Sequence, residues 1–284
     1  MPHRKGIRRA ALCPLFLAAV AAAAYAQIGY SDADRAGWEA FLLKAKIGDA
    51  LQLHGQEATT SPWKLTLSQG DVTRFGLWKN VDRSADEGGP DCWRYEIAAY
   101  QIDKLLGLDM VPPTVERIFR SDRGSLQLWM DATVSLKSRM ANGPDAPAVG
   151  AVEWNRKAYL QRAFDSLVAN DDRNTGNILI ADNDKRMILI DHSRTFRTAP
   201  PFDAALVYGA KGLMKAGDGT PHLFAELPRA LVQKLRALDA QAVKDAVKSH
   251  LTSKEIRAVL DRRDLMLKEI DGLIKAKGED KVLY

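Results

Sequence analysis

The 284-residue sequence predicts an α+β protein in two parts: a small antiparallel sheet with one main helix, then a mostly helical part that carries a β-hairpin. Three observations predict this. Between residues 51 and 130, short apolar and β-branched runs alternate with polar, glycine-containing turns, as in an antiparallel sheet. Beyond residue 152, apolar residues recur mainly at helical spacing. Within that second part, Asn177-Ile178-Leu179-Ile180 and Met187-Ile188-Leu189-Ile190 flank the turn-favouring Asp182-Asn183-Asp184-Lys185 and read as a hairpin.

The first residues read as a secretory leader. His3-Arg4-Lys5 and Arg8-Arg9 make a basic start, Ala10 to Ala24 is almost wholly apolar, and Ala24-Tyr25-Ala26 is a cleavage site placing the mature start at Gln27. The apolar run is short for a membrane span, so the expected product is exported, periplasmic or secreted, without a stable span after cleavage. An uncleaved anchor is the other reading. Processing removes four of the 41 Lys and Arg residues and none of the 36 Asp and Glu, so the net charge drops from +5 to +1. With no basic stripe of interleaved aromatics either, a nucleic-acid partner is not expected. Only Cys92 survives processing, which excludes a disulfide framework and leaves a thiol expected to be buried rather than reactive.

In chain order, residues 27–50 hold a helical pattern with Trp38, Phe41, Leu42 and Ala45 on one face. Strands are expected at Leu51–Leu53, Trp63–Leu67 and Val72–Lys79. In the last of these, residues 75, 77 and 79 share a face. A lysine continuing an apolar face either snorkels at the strand end or needs an anionic partner. After Gly88-Gly89-Pro90, Trp93–Gly107 reads as a helix, with Ala98, Ile102 and Leu105 on one face and Gly107 as its C-cap. Glu96, in its first turn, is either a carboxylate favoured near a helix N-terminus or the partner of Lys79. Met110–Ile118 and Gly124–Met130 are two more strands, Ala141–Val152 a loop, and Val152–Ala169 a helix. His192 to Pro228 is irregular. Leu227-Pro228 then opens one helix, and Thr252-Ser253-Lys254-Glu255 is a capping box before another.

The hairpin gathers the chemistry. Antiparallel pairing brings Asn177, at its entry, beside Asp191, at its exit, and the loop Asp171-Asp172-Arg173-Asn174-Thr175-Gly176 carries carboxylates to the same end. A carboxylate and an amide carbonyl are hard oxygen ligands suited to Mg²⁺, which completes its shell from water and substrate phosphates. A second carboxylate nearby orients an attacking hydroxyl and accepts its proton. Asp172 precedes Asn177 by five positions and Asp191 follows by fourteen. This is the order of catalytic Asp, metal Asn and metal Asp in kinase-fold phosphotransferases.

On these residues the chain resembles the atypical kinase superfamily of phosphatidylinositol kinases, HipA-type toxin kinases and secretory-pathway protein and glycan kinases, and looks closest to its exported bacterial members. The resemblance spans roughly residues 50 to 275 and rests on Lys79, YEIAAYQIDKLLGL (95–108), VPPTV (111–115), DRNTGN (172–177) and LIDHSRTF (189–196). It implies a two-lobed protein-kinase-like fold, with residues 27–131 as N-lobe, 132–284 as C-lobe, and an adenine-binding hinge around Trp129 to Ala132. It also implies that Lys79 contacts nucleotide phosphates, Glu96 orients Lys79, Asp172 is the base, and Asn177 and Asp191 hold Mg²⁺, or Mn²⁺. ATP is the implied cofactor and a hydroxyl of a protein, glycan or lipid headgroup the implied acceptor. A non-catalytic nucleotide-binding pseudokinase or scaffold and an AMP-transferring enzyme are the alternatives.

The chain departs from the family pattern in three places. No G-x-G-x-x-G is present, so Gly55 to Ser61 is the expected phosphate-covering turn. Asp191-His192-Ser193 replaces Asp-Phe-Gly, and no Ala-Pro-Glu follows. Asp191-His192-Ser193 is not a hydrolytic triad, because neighbours at a strand end cannot converge as nucleophile, base and orienter. His54, His192, His222 and His250 lack zinc-ligand spacing.

Overall fold

The computed structural model describes residues 32–55, 60–83, 91–144, 146–181, 184–214 and 224–284. The expected leader, most of the Gly55–Ser61 turn, the Gly88–Pro90 break and the tip of the hairpin lie outside them. The first part is a five-stranded antiparallel sheet of order β1-β2-β3-β7-β6, formed by β1 (Lys46–Gln52), β2 (Trp63–Gln69), β3 (Val72–Lys79), β6 (Thr114–Phe119) and β7 (Asp122–Leu128). Between β3 and β6 run the two-residue strands β4 (Asp82–Arg83) and β5 (Asp91–Cys92), followed by helix α2 (Trp93–Leu106).

The helix expected over residues 27–50 is α1 (Asp32–Lys44), and it ends earlier than the apolar pattern suggests. Arg117 of β6 donates to the terminal carbonyls of Leu42 and Ala45, satisfying groups that a further turn would have used. The chain then enters β1, which pairs with β2 from Lys46 to Gln52 with a register shift between Ile47 and Ala50. Edge-strand hydrogen bonding thus overrides the helical spacing, and the short strand expected at Leu51–Leu53 is the end of a longer one.

Helix α2 is strongly buried. Gly107 caps it at φ 65°, its N–H reaching Asp103 O and Lys104 O, as its lack of a Cβ permits. Arg35 of α1 holds Asp103 and Asp109 at 2.7 Å each. Two apolar cores flank this helix. One lies under the sheet, around Phe41, Leu42, Leu65, Leu67, Trp78, Leu126 and Leu128. The larger one contains Ala98, Ala99, Tyr100, Ile102 and Leu106 of α2 together with Phe164, Leu167, Leu235, Val259 and Ile270 of the helical part. So α2 packs into the second core as well as against the sheet.

The second part begins with β8 (Val134–Ser135) and α3 (Leu136–Asn142), a short helix whose last two residues, Ala141 and Asn142, take the start of the expected loop. Ser135 caps it through Ser138 N. Helix α4 (Ala151–Val168) delivers the chain to the hairpin of β9 (Ile178–Ala181) and β10 (Arg186–Leu189), whose register pairs Ile178 with Leu189. β8 adds a third strand beside β9. Among the described residues that follow are the α-helices α5 (Arg229–Ala237), α6 (Ala240–Val247) and α7 (Ser253–Lys277). The capping box at α7 is present in full, Thr252 and Glu255 exchanging side-chain and backbone bonds. No described helix is long and apolar enough to cross a membrane.

Candidate active site

Lys79 ends β3 on the face it shares with Phe75 and Leu77, and the residue is buried at 8 % exposure. It does not snorkel. Its Nζ donates to Glu96 Oε1 at 2.6 Å and to Asp191 Oδ1 at 2.7 Å. Burial opposes the charge on Lys79, but the Asp191 and Glu96 carboxylates outweigh it and hold the ammonium above its ordinary pKa. Burial likewise opposes ionisation of Glu96, and the Lys79 charge with the His192 contact overcomes it, so Glu96 lies below the usual carboxylate range.

Asp191 lies just beyond β10 with φ 62°, a left-handed conformation that aspartate tolerates better than most residues. The turn directs its carboxylate back to the hairpin entry, where Asn177 Nδ2 donates to Asp191 Oδ2 at 3.3 Å. Asn177 itself closes a 3₁₀ turn, Thr175–Asn177, instead of opening the strand. That turn forms because Asn174 Oδ1 accepts from Gly176 N, a local side-chain bond that competes with strand geometry. Asp172 stands in the same loop, half-exposed, with Arg194 Nη1 3.6 Å from Oδ2. Partial burial raises its carboxyl above the ordinary range against the opposing charge of Arg194, with Asp191 and Asp171 adding to the rise.

The five residues named from sequence therefore gather at the mouth between sheet and hairpin, with Lys79, Glu96, Asn177 and Asp191 joined by hydrogen bonds. Ser193 Oγ donates to Asp191 Oδ1 at 3.3 Å, while the His192 ring is buried elsewhere, so no triad forms. Cys92 is buried, and burial pushes its thiol up to about 11.

The support behind this mouth is hidden in the sequence. Arg173 points inward with its side chain 1 % exposed and holds both Asp165 oxygens at 3.0 Å. It also donates to Asn177 O at 2.8 Å, Ile190 O at 2.5 Å and His192 Nε2 at 2.9 Å. One guanidinium thereby ties the loop to the residues flanking both hairpin strands and to α4. A guanidinium only donates, so His192 Nε2 accepts and its proton sits on Nδ1. Burial and the Arg173 charge keep that imidazole neutral, below its usual pKa. His192 also donates its backbone N–H to Glu96 Oε2 at 3.0 Å. The available signal was Asp165, a carboxylate inside the apolar stripe of α4, whose burial calls for a charged partner and further donors.

Sheet, buried helix and hairpin mouth together make a kinase-like fold. No protein-family model and no curated protein sequence matches the chain. Solved structures do. Hydra Fam20 with sugar aligns with TM-score 0.61 at 15 % identity, over 90 % of this chain and 93 % of that one. The Golgi casein kinase with Mn/ADP bound aligns with TM-score 0.62 at 14 % identity, over 90 % of this chain and 80 % of that one. The Helicobacter pylori proinflammatory kinase CtkA aligns with TM-score 0.52 at 13 % identity, over 85 % of this chain and 99 % of that one.

Proposed function

We propose that this chain is an exported, ATP- and divalent-metal-dependent phosphotransferase that acts on a hydroxyl of a protein, glycan or lipid headgroup. The observation that carries the reading is Asp191, whose carboxylate is met by Lys79 at 2.7 Å and Asn177 at 3.3 Å while Glu96 holds Lys79 at 2.6 Å from behind. The donor set fits Mg²⁺ or Mn²⁺: Asp191 is 40 % exposed, and one carboxylate with one carboxamide leaves most of the shell to water and phosphate. When bound, the ion would neutralise phosphate charge and orient the leaving group.

The side chains divide the remaining work. Lys79, oriented by Glu96, meets the nucleotide phosphates. Asp172 orients the acceptor hydroxyl and takes its proton as the acceptor oxygen bonds to the γ-phosphorus. The bond from that phosphorus to the β,γ-bridging oxygen breaks, and ADP leaves. Nucleotide and divalent metal in the Golgi casein kinase structure support this choice of cofactors. Export rests on the leader, and recovery of a processed protein beginning at Gln27 tests it.

Transfer from γ-labelled ATP is the functional test. Asp172→Ala is expected to lower it by about 10²–10⁴-fold, the contribution of a general base. Its melting temperature should change little, because the side chain is half-exposed. Transfer of label from α-labelled ATP would assign AMP transfer instead. Nucleotide binding with no transfer to any acceptor would make the chain a pseudokinase.

A further inference from the structure

Phosphoryl transfer is accelerated by positive charge set against the equatorial oxygens of the group in flight, beyond the charge that holds the nucleotide. The catalytic loop supplies none. Between Asp171 and Asn177 its one basic residue is Arg173, which is buried and engaged by Asp165, two backbone carbonyls and His192. Lys79 is held against Glu96 and Asp191. The cation beside the catalytic carboxylate comes from the other side of the hairpin, in the segment after Asp191.

That segment is built to present it. Thr195 N and Thr195 Oγ1 both donate to His192 O, at 3.2 and 2.7 Å, closing a tight turn over His192–Thr195. His192, Ser193 and Thr195 are buried, so Arg194 is the turn's one outward side chain, at 40 % exposure. The next residues are anchored: Phe196 N donates to Val168 O at 2.6 Å, Arg197 holds Asp171 at 2.9 Å, and Arg262 Nη1 donates to Arg197 O at 3.0 Å. The backbone under Arg194 is thus fixed to the loop that carries Asp172. Its contact with Asp172, 3.6 Å, is looser than either contact of Lys79. An exposed pair of this kind contributes little to stability, and its guanidinium fork matches phosphoryl oxygens in geometry.

We propose that Arg194 contacts the transferred phosphoryl group and supplies its acceptor-side charge. This rests on the phosphotransferase reading and assigns it a further catalytic residue. Without substrate the guanidinium rests near Asp172. As the acceptor hydroxyl takes its place on that carboxylate, Arg194 turns to the equatorial oxygens of the phosphoryl group. The acceptor proton passes to Asp172, the new oxygen–phosphorus bond forms as the bond to ADP breaks, and Arg194 keeps its own proton throughout.

The test uses the chain from Gln27 with Arg194→Ala and Arg194→Lys, in two assays that need no identified acceptor. One is hydrolysis of γ-labelled ATP, with water as acceptor. The other is the melting shift given by Mg²⁺–ADP alone and with tetrafluoroaluminate, which mimics the phosphoryl group in flight. Arg194→Ala is expected to keep the Mg²⁺–ADP shift, lose the added tetrafluoroaluminate increment, and hydrolyse about 100-fold or more slowly, with partial rescue by guanidinium ion. Arg194→Lys should fall between and decides the matter if the alanine variant melts early. Hydrolysis within threefold of the parent, faster hydrolysis, or a retained increment would overturn the assignment of Arg194. A parent chain that Mg²⁺–ADP fails to shift would overturn the nucleotide-binding reading itself, and the Arg194 assignment with it.

Discussion

At Lys79 a buried ammonium lies within 2.7 Å of two carboxylates, and removing it would leave Glu96 ionised and buried at 2 % exposure. Breaking such a pair from one side typically costs about 3–5 kcal/mol, so a Lys79 variant confounds lost activity with lost fold. His192 makes a cleaner probe of the same network. Its folded pKa is depressed, first by burial and then by the Arg173 charge. The unfolded chain therefore takes up a proton first as pH falls through about 6.5, and stability should decline below that point. Asp103, raised to about 6 by burial, acts in the opposite sense, favouring the folded state as pH falls from about 6 toward 4. Comparing denaturant midpoints of the parent and His192→Phe between pH 7.5 and 5 isolates the histidine. The parent should lose more stability on acidification than the variant, and parallel curves would refute a neutral buried imidazole.

Strand β7 places Lys79 by coming unusually close to β3. A Cβ on Gly124 would stand 2.4 Å from Lys79 O and 2.6 Å from the Trp78 ring. Neither can yield easily, since one is backbone and the other is core. Gly124→Ala is therefore expected to cost about 1–3 kcal/mol, the usual range for overpacking, and to weaken nucleotide binding by shifting Lys79. Urea midpoints and a nucleotide titration check both, and an unchanged pair of values would contradict the close approach. At this scale the sequence was readable where a local rule acted alone. The capping box of α7, the Gly107 cap and the hairpin all follow from residues a few positions apart. It misled where a distant group decided. Arg117 ends α1 from across the sheet, and Asn174 turns Asn177 out of the strand through a bond that a strand pattern does not display.

Helix α2 joins the two halves of the molecule, with Lys79 and the sheet at its first turn and the larger core along its apolar side. Tyr95 in its first turn donates to Glu255 of α7, and its ring packs edge-on against Phe196 at 5.5 Å. Glu96 is thus positioned from both parts, and the Lys79–Glu96–Asp191 chain spans the mouth between them. The candidate site was legible because spacing along one hairpin encodes proximity: Asp172, Asn177 and Asp191 converge through local pairing alone. Lys79 stood out as a lysine continuing an apolar strand face, but its pairing with Glu96 rested on the resemblance, since seventeen residues of sequence separation say nothing about contact. The Arg173–Asp165–His192 support was not, because three buried polar residues on separate elements leave only one odd carboxylate in an apolar stripe as a trace.

If Asp191 anchors a metal–nucleotide site, melting of the chain from Gln27 responds to millimolar ATP and Mg²⁺ through that carboxylate. Ligand at about a hundred times its dissociation constant adds about 2.7 kcal/mol, a shift of several degrees. The expected shift requires the metal and disappears in Asp191→Ala, each variant measured against its own ligand-free baseline. A folded parent chain that ATP and Mg²⁺ leave unshifted, or an Asp191→Ala variant that shifts as far as the parent, would contradict it.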